Sequence, residues 1–421
     1  MSYLLRNATF PNGKTGEIAI QDGFIVAVSS LESSHKVIDL AGKQVLPGLV
    51  DLHTHLREPG FEESETVATG SLSAVRGGFT AISAMANTSP VADTAGVVEQ
   101  IFRLGQAAGL CDVFPIGAVT QGLNGQTLSE IGAMADSAAQ VRVFSDDGKC
   151  VFDPLIMRRA LEYVKKFDGV IAQHAQEPTL TKDSQMNEGV ISAQLGLKGW
   201  PAVAEEAIIA RDVLLAEHTD SRLHICHLTT AGGVEIIRWA KARGIKVTAE
   251  VTPHHLLLTD DYVKNYDPVY KVNPPLRREI DVLALRAGLA DGTIDIVATD
   301  HAPHSSESKD CEWAEASFGM VGLETALSIV IKTMVCSGAM DYESVADRLS
   351  VAPARIGRYE NHGQPLEIGK PANITVVDTV AKWIVDRDLM SSRSKNTPFH
   401  GFELPGVVTH TFFNGKLVYG E

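Results

Sequence analysis

The chain has 421 residues, 44% hydrophobic and 21% charged, and its 52 acidic side chains outnumber 37 basic ones to give a formal charge of -15. This length exceeds one small core and suits a large barrel-type domain with a smaller companion, while the acidic excess argues against nucleic acid or an anionic membrane as the main partner. The cysteines Cys111, Cys150, Cys226, Cys311 and Cys336 are odd in number and form no C-x-x-C pair, and no signal-peptide pattern or membrane-length apolar run is seen, so a reducing, cytoplasmic setting without disulfides or thiolate zinc is expected.

Residues 1 to about 48 read as short strands: 3–5, then a turn at Pro11, Asn12 and Gly13, alternation over 17–20, a turn at 21–23, and alternation again over 24–28. The same texture returns at 373–377, 383–385 and 407–413, and Asn414-Gly415 is a strong hairpin signal before 416–419. The economical arrangement is a small β-sandwich domain built from both termini, residues 1–48 and 361–421, with a catalytic domain at 49–360 inserted between them.

That middle region begins with 45–60, VLPGLVDLHTHLREPG, an apolar run read as strand one and ending in His53 and His55. Alternate residues of a strand share a face, so the two histidines can hold one metal ion between them. Seven further apolar runs stop in polar clusters at 85–88, 119–121, 145–148, 174–177, 227–230, 252–255 and 299–304, with helical periodicity at 71–76, 155–167, 204–217 and 233–243. Eight such units predict an α/β fold, a (β/α)8 TIM-type barrel that gathers every strand end at one mouth; a doubly wound open sheet does not explain why nearly every run ends in a ligand-type residue.

The strand ends supply His53, His55, Asp146, Asp147, His174, His227 and Asp300. This N/O set suits zinc, and two ions about 3.5–4 Å apart sharing one carboxylate and an activated water account for it better than a single ion. Asp300 follows the apolar run 294–298, where an acid is costly to bury unless a cation or hydrogen bonds meet it. Asp51 shares the parity of the two histidines and is read as support one layer deeper. His224 and His227, three apart, face opposite ways, so one of them faces the mouth; His254 and His255, adjacent on a strand, are left out of the ligand set. Arg57 offers a bidentate fork for a carboxylate, or else a surface salt bridge to Glu58 or Glu62. The stretch 305–317, SSESKDCEWAEAS, is a mobile loop near the mouth or an ordinary solvated connection.

In order along essentially the whole chain, DLHTHLREPG, FSDDG, QHAQE, ICHLTT, TPHHLLL, KVNPPLR, ATDHAPH and FGMVGLET closely resemble the dihydroorotases of the amidohydrolase superfamily, in their bacterial type I branch; GKPANITVVD and KNTPFHG resemble the family's sandwich and closing loop. The resemblance implies that His53, His55 and Asp300 serve one zinc, that His174 and His227 serve another, and that Asp147, directly before Gly148, bridges them where many relatives use a carboxylated lysine. Lys149 is then not a ligand, and one or two zinc ions per subunit remain open. Asp300 is the implied proton carrier. His55, Arg57, Asn87 and His304 are implied on the carboxylate side of the substrate, and Asn273 with the backbone of Phe318 and Gly319 at its ring amide.

The implied activity is reversible closure of N-carbamoyl-L-aspartate to (S)-dihydroorotate and water in pyrimidine biosynthesis. The competing readings are another cyclic amidohydrolase (hydantoinase, dihydropyrimidinase or allantoinase) and a non-catalytic scaffold. A homodimer and an association with aspartate transcarbamoylase are further implications. One departure from the family pattern is visible: its M-P-N-T reads Met85-Ala86-Asn87-Thr88 here, which is expected to loosen that loop.

Overall fold

The computed structural model of the protein describes residues 2–420. Its strands are β1 (Tyr3–Thr9), β2 (Thr15–Gln21), β3 (Phe24–Val26), β4 (Lys36–Asp39), β5 (Gln44–Pro47), β6 (Leu49–Thr54), β7 (Phe79–Ala84), β8 (Asp112–Pro115), β9 (Val143–Phe144), β10 (Val170–Gln173), β11 (Met186–Asn187), β12 (Gly199–Trp200), β13 (Leu223–Ile225), β14 (Val247–Val251), β15 (Ile296–Val297), β16 (Ile374–Ile384), β17 (Glu403–Phe413) and β18 (Lys416–Tyr419).

Both ends of the chain meet in one sheet of order β18-β17-β16-β5-β1-β2-β3, with β4 pairing β1 off that path. Asn414 and Gly415, at φ 47° and 73°, supply the two left-handed positions that the tight β17–β18 hairpin needs. Tyr3, Leu5, Ile18 and Ile20 from the first strands share one buried cluster with Ile374, Val376 and Phe412 from the last, so neither end has a core without the other. Two expectations are corrected. Residues 383–385 are not a separate strand, because Trp383 and Ile384 complete the 11-residue β16 beyond an irregularity between Asp378 and Lys382. The run 45–60 is not one strand either: β5 pairs antiparallel with β16, and the parallel set begins only at β6. Gly48 makes the crossing, since a Cβ there would lie 2.3 Å from Thr80 Oγ1.

The middle of the chain forms two parallel sheets, β6-β7-β8 and β15-β14-β13-β10-β9. Single parallel bridges link them at Gly117–Phe144 and at Thr54–His301. One face of these strands, including Val50, Leu52, Ala81, Val143, Val170, Ala172, Ile296 and Ala298, packs into a common cluster. The other face, including Ile82, Val113, Ile171, Ile225 and Val297, packs against helices such as Ala95–Ala108, Val203–Thr219 and Ala231–Ala242.

Along β6 Val50 and Leu52 join the common cluster, Asp51 pairs with Ile82, and the register with β7 shifts between Asp51 and Thr54. Asp51 supports the segment that carries His53. Its carboxylate accepts from the His53 and Thr299 amides and the Thr299 hydroxyl, stapling β6 to the segment after β15, and burial pushes it up to about 7. His254 and His255 are on the short helix Pro253–Leu257 rather than on a strand, capped by the Thr252 side chain. The stretch 305–317 contains the helix Ser306–Lys309 and is exposed at Glu307, Asp310, Glu312 and Glu315, but it is fastened by the buried Lys309 and Trp313. Among the described residues no helix is long and apolar enough to cross a membrane.

Candidate metal centre and substrate pocket

Every strand end named as a ligand source delivers its residue to one place. His53 and His55 follow from β6, Asp147 from the turn after β9, His174 from β10, His227 from β13 and Asp300 from β15, and all are buried. The donor atoms of His53, His55, Asp147 and Asp300 lie within 4.8 Å of one another, as do those of Asp147, His174 and His227. The two groups share Asp147 through different oxygens. His53 Nε2 and His55 Nε2 are each 3.3 Å from Asp147 Oδ2, and lie 3.3 and 3.1 Å from Asp300 Oδ1. His174 Nδ1 and His227 Nε2 are 2.9 and 3.0 Å from Asp147 Oδ1. The two carboxylates are held below their usual range: burial pushes them up, but the surrounding histidines, His53 foremost, outweigh it and bring Asp300 to about 2.

The hydrogen bonds on the far side of each ring show that the cluster fits a cation. His53 Nδ1 donates to Glu250 Oε1 (2.6 Å), His55 Nδ1 to Asn87 Oδ1 (2.9 Å) and His174 Nε2 to Gln176 Oε1 (2.8 Å). With the proton fixed on the outer nitrogen, the inner nitrogen presents a lone pair, which is how metal-ligating imidazoles are oriented. His53 Nε2 is buried with no hydrogen-bond partner, and His174 Nδ1 and His227 Nε2 face each other at 2.8 Å. Asp146 is excluded from the centre because its carboxylate accepts from the Val119 and Thr120 amides (2.8 and 3.0 Å) and the Thr120 hydroxyl.

Two residues not anticipated hold the centre in place. Glu250 accepts from His53, from His224 Nε2 (3.0 Å) and from the His227 amide (3.1 Å); burial raises it, but the His53 and His224 rings outweigh that and hold it below the usual carboxylate range. Its signal was an acid inside the β-type run VTAEV, where the burial argument applied to Asp300 works equally well. Gln176 carries no such signal. Its placement comes from a bond to Thr181 Oγ1 (2.8 Å), and its Oε1 also lies 3.4 Å from Asn273 Nδ2.

The residues expected on the substrate side lie beside the cluster. Arg57 Nε donates to Pro303 O (3.1 Å), and Arg57 Nη2 is 3.4 Å from His304 Nε2. The salt-bridge alternative is not formed: Glu58 accepts from the Val67 amide and Glu62 from the Gly60 amide. Burial lowers the guanidinium to about 10, leaving it charged at neutral pH, and burial with the nearby Arg57 charge lowers His304 to about 3, leaving it neutral. His304 Nε2 donates to Phe318 O (2.8 Å), and Gly319 must be glycine because a Cβ there would fall 2.7 Å from the same nitrogen. Asn273 Oδ1 is buried without a partner. Of the main-chain groups of Phe318 and Gly319, Gly319 N donates to Lys271 O (2.9 Å) and Gly319 O accepts from Asn396 (3.2 Å), which leaves the Phe318 N–H for a ligand. The carbonyl of Ala86 accepts from the Thr88 and Ala92 amides (2.9 and 3.0 Å).

A parallel α/β scaffold with a buried His/carboxylate cluster at its strand ends defines the class: a metal-dependent amidohydrolase. Residues 42–232 match the family model described as "Dihydro-orotase-like". The chain is 65% identical over 99% of both chains to a protein named dihydroorotase from Streptomyces coelicolor, and 52% identical to one from Mycobacterium tuberculosis, over 99% of this chain and 98% of that one. Among solved structures it is similar to the L-hydantoinase (dihydropyrimidinase) from Arthrobacter aurescens, with TM-score 0.86 and 26% identity over 100% of this chain and 96% of that one. The chain belongs to the dihydroorotase family.

Proposed function

We propose that this protein interconverts N-carbamoyl-L-aspartate and (S)-dihydroorotate, the step of pyrimidine biosynthesis for which its relatives are named. One observation carries the reading: the cluster shared through Asp147 stands beside a charged Arg57 and a neutral His304, so a carboxylated cyclic amide can be bound and opened in one place. The same reading treats the two bridged parallel sheets as a closed (β/α)8 barrel spanning 49–360, and the terminal strands as a β-sandwich domain of 1–48 and 361–421. All five cysteines are free, which suits a cytoplasmic setting.

His53, His55, Asp147 and Asp300 would hold one zinc ion, and Asp147, His174 and His227 a second. Bound there, zinc supplies Lewis acidity at the amide carbonyl and a water acidified towards neutral pH. Arg57 and the free amide nitrogen of Asn87 donate to the substrate carboxylate, with His304 beside them and its single N–H held by Phe318 O, and Asn273 Oδ1 accepts from the ring N–H while the Phe318 N–H donates to a ring carbonyl. The carboxylate of Asp300, beside the inner nitrogens of His53 and His55, takes the proton of the attacking water and returns it to the departing amide nitrogen. Ring closure runs the same transfer backwards.

The deciding assay compares ring opening of dihydroorotate and closure of carbamoyl aspartate with hydrolysis of hydantoin and allantoin. Turnover of the latter two alone would sink the proposal. Metal analysis of the same preparation separates the enzyme from a scaffold, which would hold none and gain nothing from added zinc.

A further inference from the structure

We infer that Lys271 and Lys309 are positioning residues for the substrate: they tie the strap 305–317 to the segment carrying Asn273, and thereby set His304 and Phe318 at the strap's two ends. This rests on the substrate pocket proposed above and extends it to two side chains whose amines bond main-chain carbonyls rather than the proposed metal ligands. Lys309 is 3% exposed, and its Nζ donates to Lys271 O and to Ser317 O, both at 2.8 Å. Lys271 is 2% exposed and reaches the opposite way, donating to Trp313 O (2.6 Å) and Ala314 O (3.0 Å). Its Nζ also lies 4.6 Å from the centre of the Phe318 ring, and its carbonyl accepts from Gly319 N at 2.9 Å. Two crossed ties therefore join the segment at 271, the strap, and the turn at 318–319.

Burying an amine is costly compared with an apolar chain of the same length, so packing alone would favour methionine or leucine at both positions. What the amines provide is donors. Four main-chain carbonyls, those of Lys271, Trp313, Ala314 and Ser317, accept from them in a region with little regular structure. An amine offers at least two N–H donors whether charged or neutral, so the ties do not depend on its protonation. With a tie removed, the strap loses its hold on both ends, and His304 loses its register with Arg57 and Phe318. Neither lysine bonds to Asp147 or Asp300, so binding weakens while the chemical step is preserved.

In Lys309→Met, KM for carbamoyl aspartate is expected to rise about tenfold with kcat within about twofold. Amide hydrogen exchange across 305–317 in the ligand-free protein should quicken about tenfold, with β6 and β10 unchanged. A fall in kcat at constant KM, or unaltered exchange in the strap, overturns the inference. Should this variant not fold, the unsubstituted enzyme decides. Saturating dihydroorotate should slow alkylation of half-buried Cys311, within the strap, and leave exposed Cys336 unaffected, whereas equal Cys311 rates refute the assignment. If the unsubstituted enzyme neither turns over carbamoyl aspartate nor binds dihydroorotate, the functional reading has failed, and ligand-free exchange still decides whether Lys309 holds the strap.

Discussion

The three histidines whose outer nitrogens are assigned are not supported equally. His53 is backed by the buried carboxylate of Glu250, His55 and His174 by the neutral amides of Asn87 and Gln176. A carboxylate partner raises imidazole basicity more than an amide does, and loss of either partner costs roughly 10–100-fold in metal affinity or activity. Gln176→Leu should therefore weaken zinc at the His174/His227 pair by about that factor while sparing the other position, and Gln176→Glu should tighten it. Metal content after graded dialysis against a chelator measures both; identical retention in the three proteins would rule out the role given to Gln176. Arg57→Met removes the guanidinium that stands 3.4 Å from His304. Its KM for carbamoyl aspartate should rise about 100-fold, as expected for a lost charge-assisted hydrogen bond of about 3 kcal/mol, with a much smaller change in kcat. Steady-state kinetics decide this. The ligand types were legible because charged residues ending apolar runs are conspicuous, and Glu250 was legible by the same rule. Gln176 was not, since a glutamine two residues past a strand end looks like any loop residue until Thr181 is seen to aim it.

At the scale of elements, the strand ends and the flanking helices were readable from periodicity, but the places where periodicity breaks were not. The register of β6 with β7 shifts between Asp51 and Thr54, and the short helix at Pro253–Leu257 replaces an assumed strand at His254 and His255. The first goes with the staple from Asp51 to Thr299 across the chain, the second with the cap that Thr252 places before Pro253. The β5–β6 boundary is similar: only the close approach of Thr80 shows why Gly48 must divide the two sheets. Gly48→Val should cost about 1–3 kcal/mol through overpacking, read as a lowered urea midpoint. The strap makes a pH-dependent prediction. Burial, with the neighbouring Lys271 charge, lowers Lys309 to about 7. Between that pH and its ordinary value near 10.5 the unfolded chain binds more protons than the folded one, so this residue's contribution to stability rises with pH across that window. Relative to Lys309→Met, the unsubstituted protein should gain up to about 1.4 kcal/mol per pH unit above pH 7. Urea unfolding of both proteins at pH 7 and pH 9 tests this, and a stability difference between them that is the same at the two pH values would contradict the burial of a titrating amine.

Taken as a whole molecule, the protein places its most polar interior where its strands converge. Asp147, Asp300 and Glu250 are buried carboxylates, and His53, His55, His174 and His227 are buried beside them, drawn from six separate strand ends. Uncompensated charge at such a point opposes closing the strands around it, whereas a cation there binds only the folded arrangement, because no unfolded chain brings these residues together. A ligand of that kind stabilises by RT ln(1 + [L]/Kd), about 2.7 kcal/mol when the free metal stands at 100 times its Kd. Stripping metal with a chelator should lower both the thermal midpoint and the urea midpoint, and stoichiometric zinc should restore them. Asp147 is the one residue common to both donor groups, so Asp147→Ala should abolish most of the zinc-dependent gain, while His174→Ala, which touches one group, should abolish only part of it. Thermal unfolding of the three proteins with and without zinc provides the measurement. Equal zinc-dependent shifts in all three would mean that the ion binds elsewhere and that the shared aspartate does not join two positions.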